Sequence, residues 1–376
     1  MGVVEQMLNL IDRNRERALN GGINCIPSPF ANFRRDFPGI EQGKYYLVSG
    51  ATKAGKSQIA TYLFLYAPIL YAYNNPGKLR LKIFYFPLEE APVKITLRFT
   101  AYLLYTMHKI RVSPMYLMSI QEGEIIDDRV RELIHSPEIQ DILKFYEEHV
   151  YFMDDRNPTG VWKTVKRYAE EAGITHRKTV IIENKETGIK QEKQAFDYYE
   201  PKDPDEYIII IVDHAGKVEQ ERGLSKKETI DKLSEYFMIL RDHYKYTPVL
   251  LQQQNSDTVS LDAVKQKRVS PTYNGLMDTK NPGQDCSMML GITNPKFFKI
   301  PEYLEYNIIK LGQYYRALEV VLNREGESNN VLSLYFDGAT NVFIPLPKPN
   351  DTVLLEKVYR LVERNENQPL ELTNPK

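Results

Sequence analysis

Residues Gly50-Ala51-Thr52-Lys53-Ala54-Gly55-Lys56-Ser57 spell G-x-x-x-x-G-K-[ST]. That spacing suits a loop that wraps phosphates in backbone N–H groups, with a lysine for the terminal phosphates and a hydroxyl for Mg²⁺. Lys44 to Ser49 is an apolar run of strand length before it, and Gln58 to Leu63 can start a helix after it. Strand, loop and helix in that order place the N–H groups and the positive end of the helix on one anion. The motif therefore predicts a nucleoside triphosphate with Mg²⁺. Gly50 through Ser57 form the cradle, Lys56 reaches the β- and γ-phosphates, and Ser57 is a metal ligand.

Hydrolysis needs more than a cradle: a carboxylate near the metal, a group to activate water, and positive charge for the transition state. Tyr207 to Val212 is too apolar for a half-exposed strand and should be central, with Asp213 at its carboxyl end. Asp213 there is a second Mg²⁺ ligand; otherwise it caps a turn. Leu81 to Phe86 is another buried strand, ending in Pro87-Leu88-Glu89-Glu90. Glu89 falls at the same edge and can polarise water, although a Glu pair before a helix also suits the helix dipole. Pro248 to Leu251 is a fourth, closed by Gln252-Gln253-Gln254-Asn255, whose amides can sense a γ-phosphate. Arg324 lies in a turn, Leu322 to Gly326, between two strand-like runs. It is either solvated or a finger for a neighbouring subunit's nucleotide.

The elements that must hold these groups alternate between strand-like and helix-like patterns from Ile23 to about Leu346. Strands are expected at 44–49, 81–86, 150–153, 207–212, 248–252, 286–292, 317–323 and 331–336. Helices are expected at 57–72, 92–109, 128–149, 158–172 and 225–244. This is an α/β pattern with a mostly parallel central sheet flanked by helices. Residues 176–206 read as a hairpin insertion, turning at Asn184 to Gly188, and 255–284 as a long functional loop. Residues 3–19 read as an amphipathic helix ended by Gly21-Gly22, docking either on its own domain or on a neighbouring subunit. The chain thus divides into a linker helix (1–22), a core (23–346) and a tail with a short helix at 352–364 (347–376).

Composition sets bounds. With 376 residues, 42% hydrophobic and 26% charged, the chain can bury a large core. No apolar run reaches membrane-span length and no signal peptide begins it, so a cytoplasmic setting is expected. Two cysteines, Cys25 and Cys286, suggest neither a disulfide framework nor a zinc site. A net charge of −1 neither demands nor excludes nucleic acid, since a local basic lining suffices.

In this order the pieces resemble the RecA-like ATPase domain of DnaB-type replicative helicases, from about Ile23 to Phe343. Ser28 to Phe33 with Gly39 to Gly43 is similar to the family's T-G-F-x-x-L-D…G-L-x-x-G opening. Leu88-Glu89-Glu90 with Arg98 resembles S-L-E-M…R, which marks Glu89 as the catalytic glutamate. Tyr151 to Asp155 resembles the strand that the family places before its next helix. Gln253-Gln254-Asn255 resembles the S-Q-L-N sensor, Gln284-Asp285 the E-Q-D-A-D run, and Arg324-Glu325-Gly326 the K-x-R-x-G finger acting in trans. The resemblance implies ATP and Mg²⁺ at subunit junctions of a ring, most simply a homo-hexamer, with single-stranded DNA in its channel. It also implies a primase or loader as partner. The matching DNA loops carry Lys217, Arg222, Lys226 and Lys227 (214–228) and Lys265, Lys267 and Arg268 (256–280), suited to backbone binding without base preference; each is otherwise a solvated loop cation.

Three positions depart from the family: Leu322 stands for the lysine beside the finger, Ser287 for the second Asp of E-Q-D-A-D, and Arg34 for the Asp of the opening motif. The resemblance leads to the expectation that the family's globular N-terminal domain is absent, since residues 1–22 are all that stand before the core. A small viral or plasmid-type homologue in a bacterial cell or infected bacterial host fits this, as does a ring that no longer unwinds DNA. A RecA- or RadA-like recombination or repair ATPase is the other alternative.

Overall fold

The structure, a computed structural model, describes residues 2–120, 122–183, 190–255 and 260–363. Helix α1 (Val3–Leu19) is followed by Gly21 at φ +75°, a left-handed turn that glycine takes without steric cost. A ribbon of β1 (Ile26–Pro27) and β2 (Gly39–Ile40) leads into β3 (Tyr46–Gly50). Beyond the phosphate loop, α2 (Lys56–Thr61), a π-helical turn (Tyr62–Tyr66) and α3 (Ala67–Asn74) run on without a break. The π turn lies where the Asn341 amide reaches the ladder, donating to Gln58 O and Thr61 Oγ1 at 3.2 Å each.

Next come β4 (Arg80–Pro87), α4 (Pro92–His108), α5 (Pro114–Leu117), α6 (Asp128–Ile134) and α7 (Pro137–His149). The single helix expected over 128–149 is therefore two. Ser136 precedes a proline and is held extended at ψ 147°, while Pro137 starts the next helix at a position where its missing N–H costs nothing. β5 (Val150–Phe152) and α8 (Pro158–Ala172) follow. β6 (Gly173–Glu183) and β7 (Lys190–Pro201) then pair antiparallel as a ribbon, so the insertion starts a few residues earlier than its polarity suggested. Its expected turn at 184–188 lies outside the described residues.

The chain returns through β8 (Glu206–Asp213), α9 (Lys226–Tyr244) and β9 (Thr247–Gln253). The long polar stretch beyond contains α10 (Leu261–Lys265) and α11 (Asn281–Asp285) before β10 (Met288–Thr293). A small ribbon, β11 (Glu302–Tyr303) with β12 (Tyr306–Asn307), and α12 (Ile308–Leu311) precede β13 (Tyr315–Asn323), β14 (Val331–Asp337), β15 (Val342–Pro345) and α13 (Thr352–Glu363). Strand β15 has no counterpart in the expected list, being too short for its alternation to register.

One nine-stranded sheet organises the molecule, in the order β15-β14-β13-β10-β3-β9-β8-β4-β5. From β10 to β5 the strands are parallel, and β13 to β15 extend one edge antiparallel. Side chains alternate across it. Tyr46, Val48, Ile83, Ile209 and Ile211 face a core shared with α2–α4, α6 and α7, whereas Leu47, Phe84, Ile208 and Ile210 face α8 and α9. Burial on both faces is why these strands read as unbroken apolar runs. A third cluster joins α12 and α13 to Tyr315 and Tyr335, so the C-terminal helix packs on the core through Leu355 and Val358.

Helix α1 is different. Val4, Met7, Leu8, Leu10 and Ile11 are all about half exposed or more. Towards its C-terminal end Arg17 pairs with Asp205, and Asn14 O accepts from Asn24 Nδ2 at 2.9 Å. No helix among the described residues is long and apolar enough to cross a membrane.

Ile210 is fully buried on β8. Ile210→Ala is expected to lower unfolding free energy in urea by about 2–5 kcal/mol, through lost burial and the cavity left behind.

Candidate functional site

Register brings the chemistry together. Gly50 pairs with Gln253 on one neighbour of β3, Val212 with Leu250, and Asp213 with Pro87. The carboxyl ends of β3, β9, β8 and β4 therefore open onto one edge, where ligands of open α/β sheets sit. A cleft of about 310 Å³ lies there, lined by the phosphate loop with Glu89, Glu90, Asp213, His214 and Gln253.

The loop is shaped for an anion. Lys53 (φ +61°) and Gly55 (φ +103°) are left-handed, which turns successive amides inward before α2 begins. Gly50 sits so close to β10 that a Cβ would lie 2.7 Å from Ile292 O, so no other residue fits there. Burial pushes the Lys56 ammonium's pKa down, and the carboxylates of Asp213 and Glu89 pull it back up. A cation drawn into the protein beside carboxylates is poised to exchange them for phosphate oxygens.

Ser57 Oγ donates to Asp213 Oδ1 at 3.1 Å, and Tyr85 Oη donates to Oδ2 at 3.2 Å. Asp213 is only 6% exposed, and burial raises its pKa from 3.8 to about 6. Hydroxyl donors alone do not offset the cost of that buried negative charge, and a hard cation would. A hydroxyl and one carboxylate fit Mg²⁺ held largely by phosphates and water, and no cluster of three or more metal-binding side chains exists among the described residues.

Glu89 lies across the cleft with His214 Nε2 3.4 Å from Oε2. His214 Nδ1 accepts from Gly216 N–H at 3.1 Å, which leaves the ring proton on Nε2, facing Glu89. Burial lowers the His214 pKa, reinforcing that neutral form. Arg98 pairs with Glu90 instead, with Nη1 2.8 Å from Oε1. Adjacent glutamates are thereby sorted: Glu90 is tied to its helix and Glu89 stays toward the cleft. His214 escaped notice in the sequence, although its place directly after Asp213 was the available signal.

Gln253 Nε2 donates to Thr52 Oγ1 of the phosphate loop, and Gln253 O accepts from Met277 N at 2.9 Å. Gln252 Nε2 donates to Met277 O at 2.6 Å and Thr279 O at 2.8 Å, and Gln254 Nε2 to Ser49 Oγ at 2.8 Å. The three glutamines thus clamp the phosphate loop to the base of the segment that follows β9.

The other expected site residues lie elsewhere. Arg324 is on the opposite edge: Asn323 pairs with Met288, which pairs with Tyr46 at the start of β3. There Arg324 Nε donates to Cys286 O at 2.8 Å and Nη2 to Gln284 O, so it takes no part in its own chain's cleft. Leu322 is half-buried against the second core cluster. Lys217, Arg222 and Lys227 are exposed on the segment after β8, while Lys226 is half-buried and donates to Val218 O. Lys265, Lys267 and Arg268 are exposed beyond β9, with Lys267 3.1 Å from Glu302. Residues 256–259 of that second loop lie outside the described residues. Both basic segments leave the carboxyl ends of adjacent strands, on the edge that holds the cleft.

The fold matches two solved structures over most of its length. One, an ATPase domain, aligns with TM-score 0.61 at 13% identity, covering 92% of this chain and 100% of that one. The other, a DnaB-like replicative helicase studied with its interactions with primase, aligns with TM-score 0.60 at 12% identity, covering 92% of this chain and 67% of that one. The chain has the RecA-like fold of a DnaB-type helicase ATPase domain. No protein-family model matches its sequence, and no curated protein does. In this RecA-like domain the phosphate loop follows the central strand β3, and the carboxylates come from its second and third neighbours.

Because Asp213 binds its proton more tightly when folded than when unfolded, the nucleotide-free RecA-like domain loses stability as pH rises from 3.8 towards about 6. The full cost, at most about 3 kcal/mol, is present above that window and absent below it. Asp213→Asn should therefore raise the melting temperature of nucleotide-free protein in chelator at pH 8, with a smaller gain at pH 5.

Proposed function

We propose that the chain is an ATP-hydrolysing motor that assembles into a ring, most simply a homo-hexamer, and translocates on single-stranded DNA as a replicative helicase. The observation that carries this reading is the convergence of Lys56, Ser57, Glu89, Asp213 and Gln253 on one cleft, while Arg324 lies on the far edge of the same sheet. A head-to-tail ring brings one subunit's far edge to its neighbour's cleft, and a rotation that closes makes such an interface cyclic. The exposed apolar stripe of α1 supports assembly, because a helix whose apolar face meets water gains by docking on another copy.

In this scheme the loop amides and Lys56 bind the triphosphate. Ser57 and Asp213 would hold Mg²⁺, which supplies charge neutralisation at the β- and γ-phosphates. Glu89, steered by the His214 Nε2–H, takes the proton of the attacking water. Arg324 of a neighbour stabilises charge on the transferring phosphoryl group. Gln253, bonded to both Thr52 and the segment at Met277, passes loss of the γ-phosphate to the loop beyond β9. Lys217, Arg222, Lys226, Lys227, Lys265, Lys267 and Arg268 grip the DNA backbone as charge rather than as readers of bases. A primase or a loader is the protein partner such a ring would take in the cytoplasm of a bacterial cell or infected host.

A second reading, a ring that binds ATP without unwinding, draws on one feature: Leu322 places an apolar side chain where the resemblance calls for a second cation beside the finger. A forked-duplex assay separates the two. The helicase reading expects strand separation driven by ATP, whereas turnover stimulated by single-stranded DNA with no separation contradicts it. Glu89→Gln is expected to lower kcat by about a hundredfold or more while ATP binding persists; retained hydrolysis would show that another carboxylate serves as the base.

A further inference from the structure

Arg316 is buried, 6% exposed, at the start of β13, and forms no ion pair with a carboxylate among the described residues. Its hydrogen bonds all run to carbonyls: Nε to Ala54 O at 2.8 Å, and Nη1 to Gln313 O at 2.8 Å and Tyr315 O at 2.7 Å. The Phe336 ring lies 4.7 Å from Cζ, and Phe336 is itself stacked on Phe343. The guanidinium is thus wedged between the outer strands and the back of the phosphate loop. Nε is 3.5 Å from the position a Cβ on Gly55 would take, and Gly55 lines the cleft from the other side.

We infer that Arg316 is a positioning residue for nucleotide binding, fixing the Ala54–Gly55 peptide and placing an unpaired positive charge one peptide layer behind the phosphates. The inference rests on the ATP reading above. A trans peptide is planar, with C=O and N–H on opposite sides. A donor holding Ala54 O from behind therefore aims Gly55 N–H forward, into the cradle. The same side chain adds a formal charge behind the amide dipoles of the loop. Burial pushes its pKa down from 12.5 to about 10, the direction expected for a charge taken out of water without a carboxylate partner. Arg316 therefore does not touch the nucleotide. It acts through the loop.

The test uses the full chain, fluorescent N-methylanthraniloyl-ATP as the probe, and thermal melting with and without Mg-ATP. Arg316→Gln keeps one donor but no charge and is expected to bind the probe about tenfold more weakly, the scale of one charge-assisted contact. Arg316→Lys keeps the charge without the rigid fork and should bind a few-fold more weakly than the unsubstituted chain, between it and Arg316→Gln. For both, the rise in melting temperature on adding Mg-ATP should shrink. A purely structural role would lower nucleotide-free melting and leave the affinity of the folded protein unchanged, and that result overturns the inference. If Arg316→Gln is recovered only unfolded, Arg316→Lys decides alone, and wild-type affinity in it overturns the inference. Failure of the unsubstituted chain to bind the probe removes the ATP reading itself, whereas equal binding by all three forms removes only the role of Arg316.

Discussion

Four buried strands in parallel register fix where the groups of the cleft lie. Gly50 stands opposite Gln253, Leu250 opposite Val212, and Asp213 opposite Pro87. Side chains alternate with a period of two, so a slip by one residue would turn Ile209 and Ile211 out of one core and Asp213 away from Ser57. Two fully packed faces hold the register, and no polar contact in the cleft is strong enough to do so alone. The site is the place where that sheet ends. Its loop, carboxylates and sensor amide meet because their strands run parallel and end within two residues of one another in register.

Where burial dictates composition, the sequence was legible. Runs such as Tyr207 to Val212 have no polar alternation because both faces are covered, and the polar residue ending each run marks the open edge. The phosphate loop, Asp213, Glu89 and Gln253 were legible from motif and position at strand ends, and the structure places them on one cleft. What stayed hidden depends on contacts distant in sequence. Arg316 looks like any strand arginine until β13 is laid beside β10 and the back of residue 54. His214 gains meaning only when its ring proton is found facing Glu89. The break at Ser136-Pro137 is an intermediate case: its signal was present, but a long amphipathic pattern on either side concealed it. Whether α1 docks on its own domain could not be read from amphipathicity, which is the same for either partner. Its stripe stands about half exposed or more on this chain.

The division of labour across the sheet has a physical rationale. A cleft that held its own transition-state cation would be complete in the monomer and would turn over regardless of assembly. Here the cations that line or back the cleft, Lys53, Lys56 and the Arg316 charge behind Gly55, sit on or behind the phosphate loop. Arg324 is held against the carbonyls of Gln284 and Cys286 on the other edge. Turnover would then be conditional on a neighbour, and the glutamine clamp from Thr52 to Met277 gives the nucleotide state a route to the basic segment beyond β9. That coupling would run along one hydrogen-bonded path and does not depend on whether the proposed ring unwinds a duplex.

Mixing two inactive forms asks whether one nucleotide site is built from two subunits. Lys56→Ala subunits have a disabled cleft but an intact Arg324, and Arg324→Ala subunits have the converse. A site shared between subunits predicts that each form alone has little ATPase activity and that mixtures regain a substantial fraction, greatest near equal proportions. Mixtures no more active than the sum of their parts, or Arg324→Ala protein with full activity on its own, would contradict it.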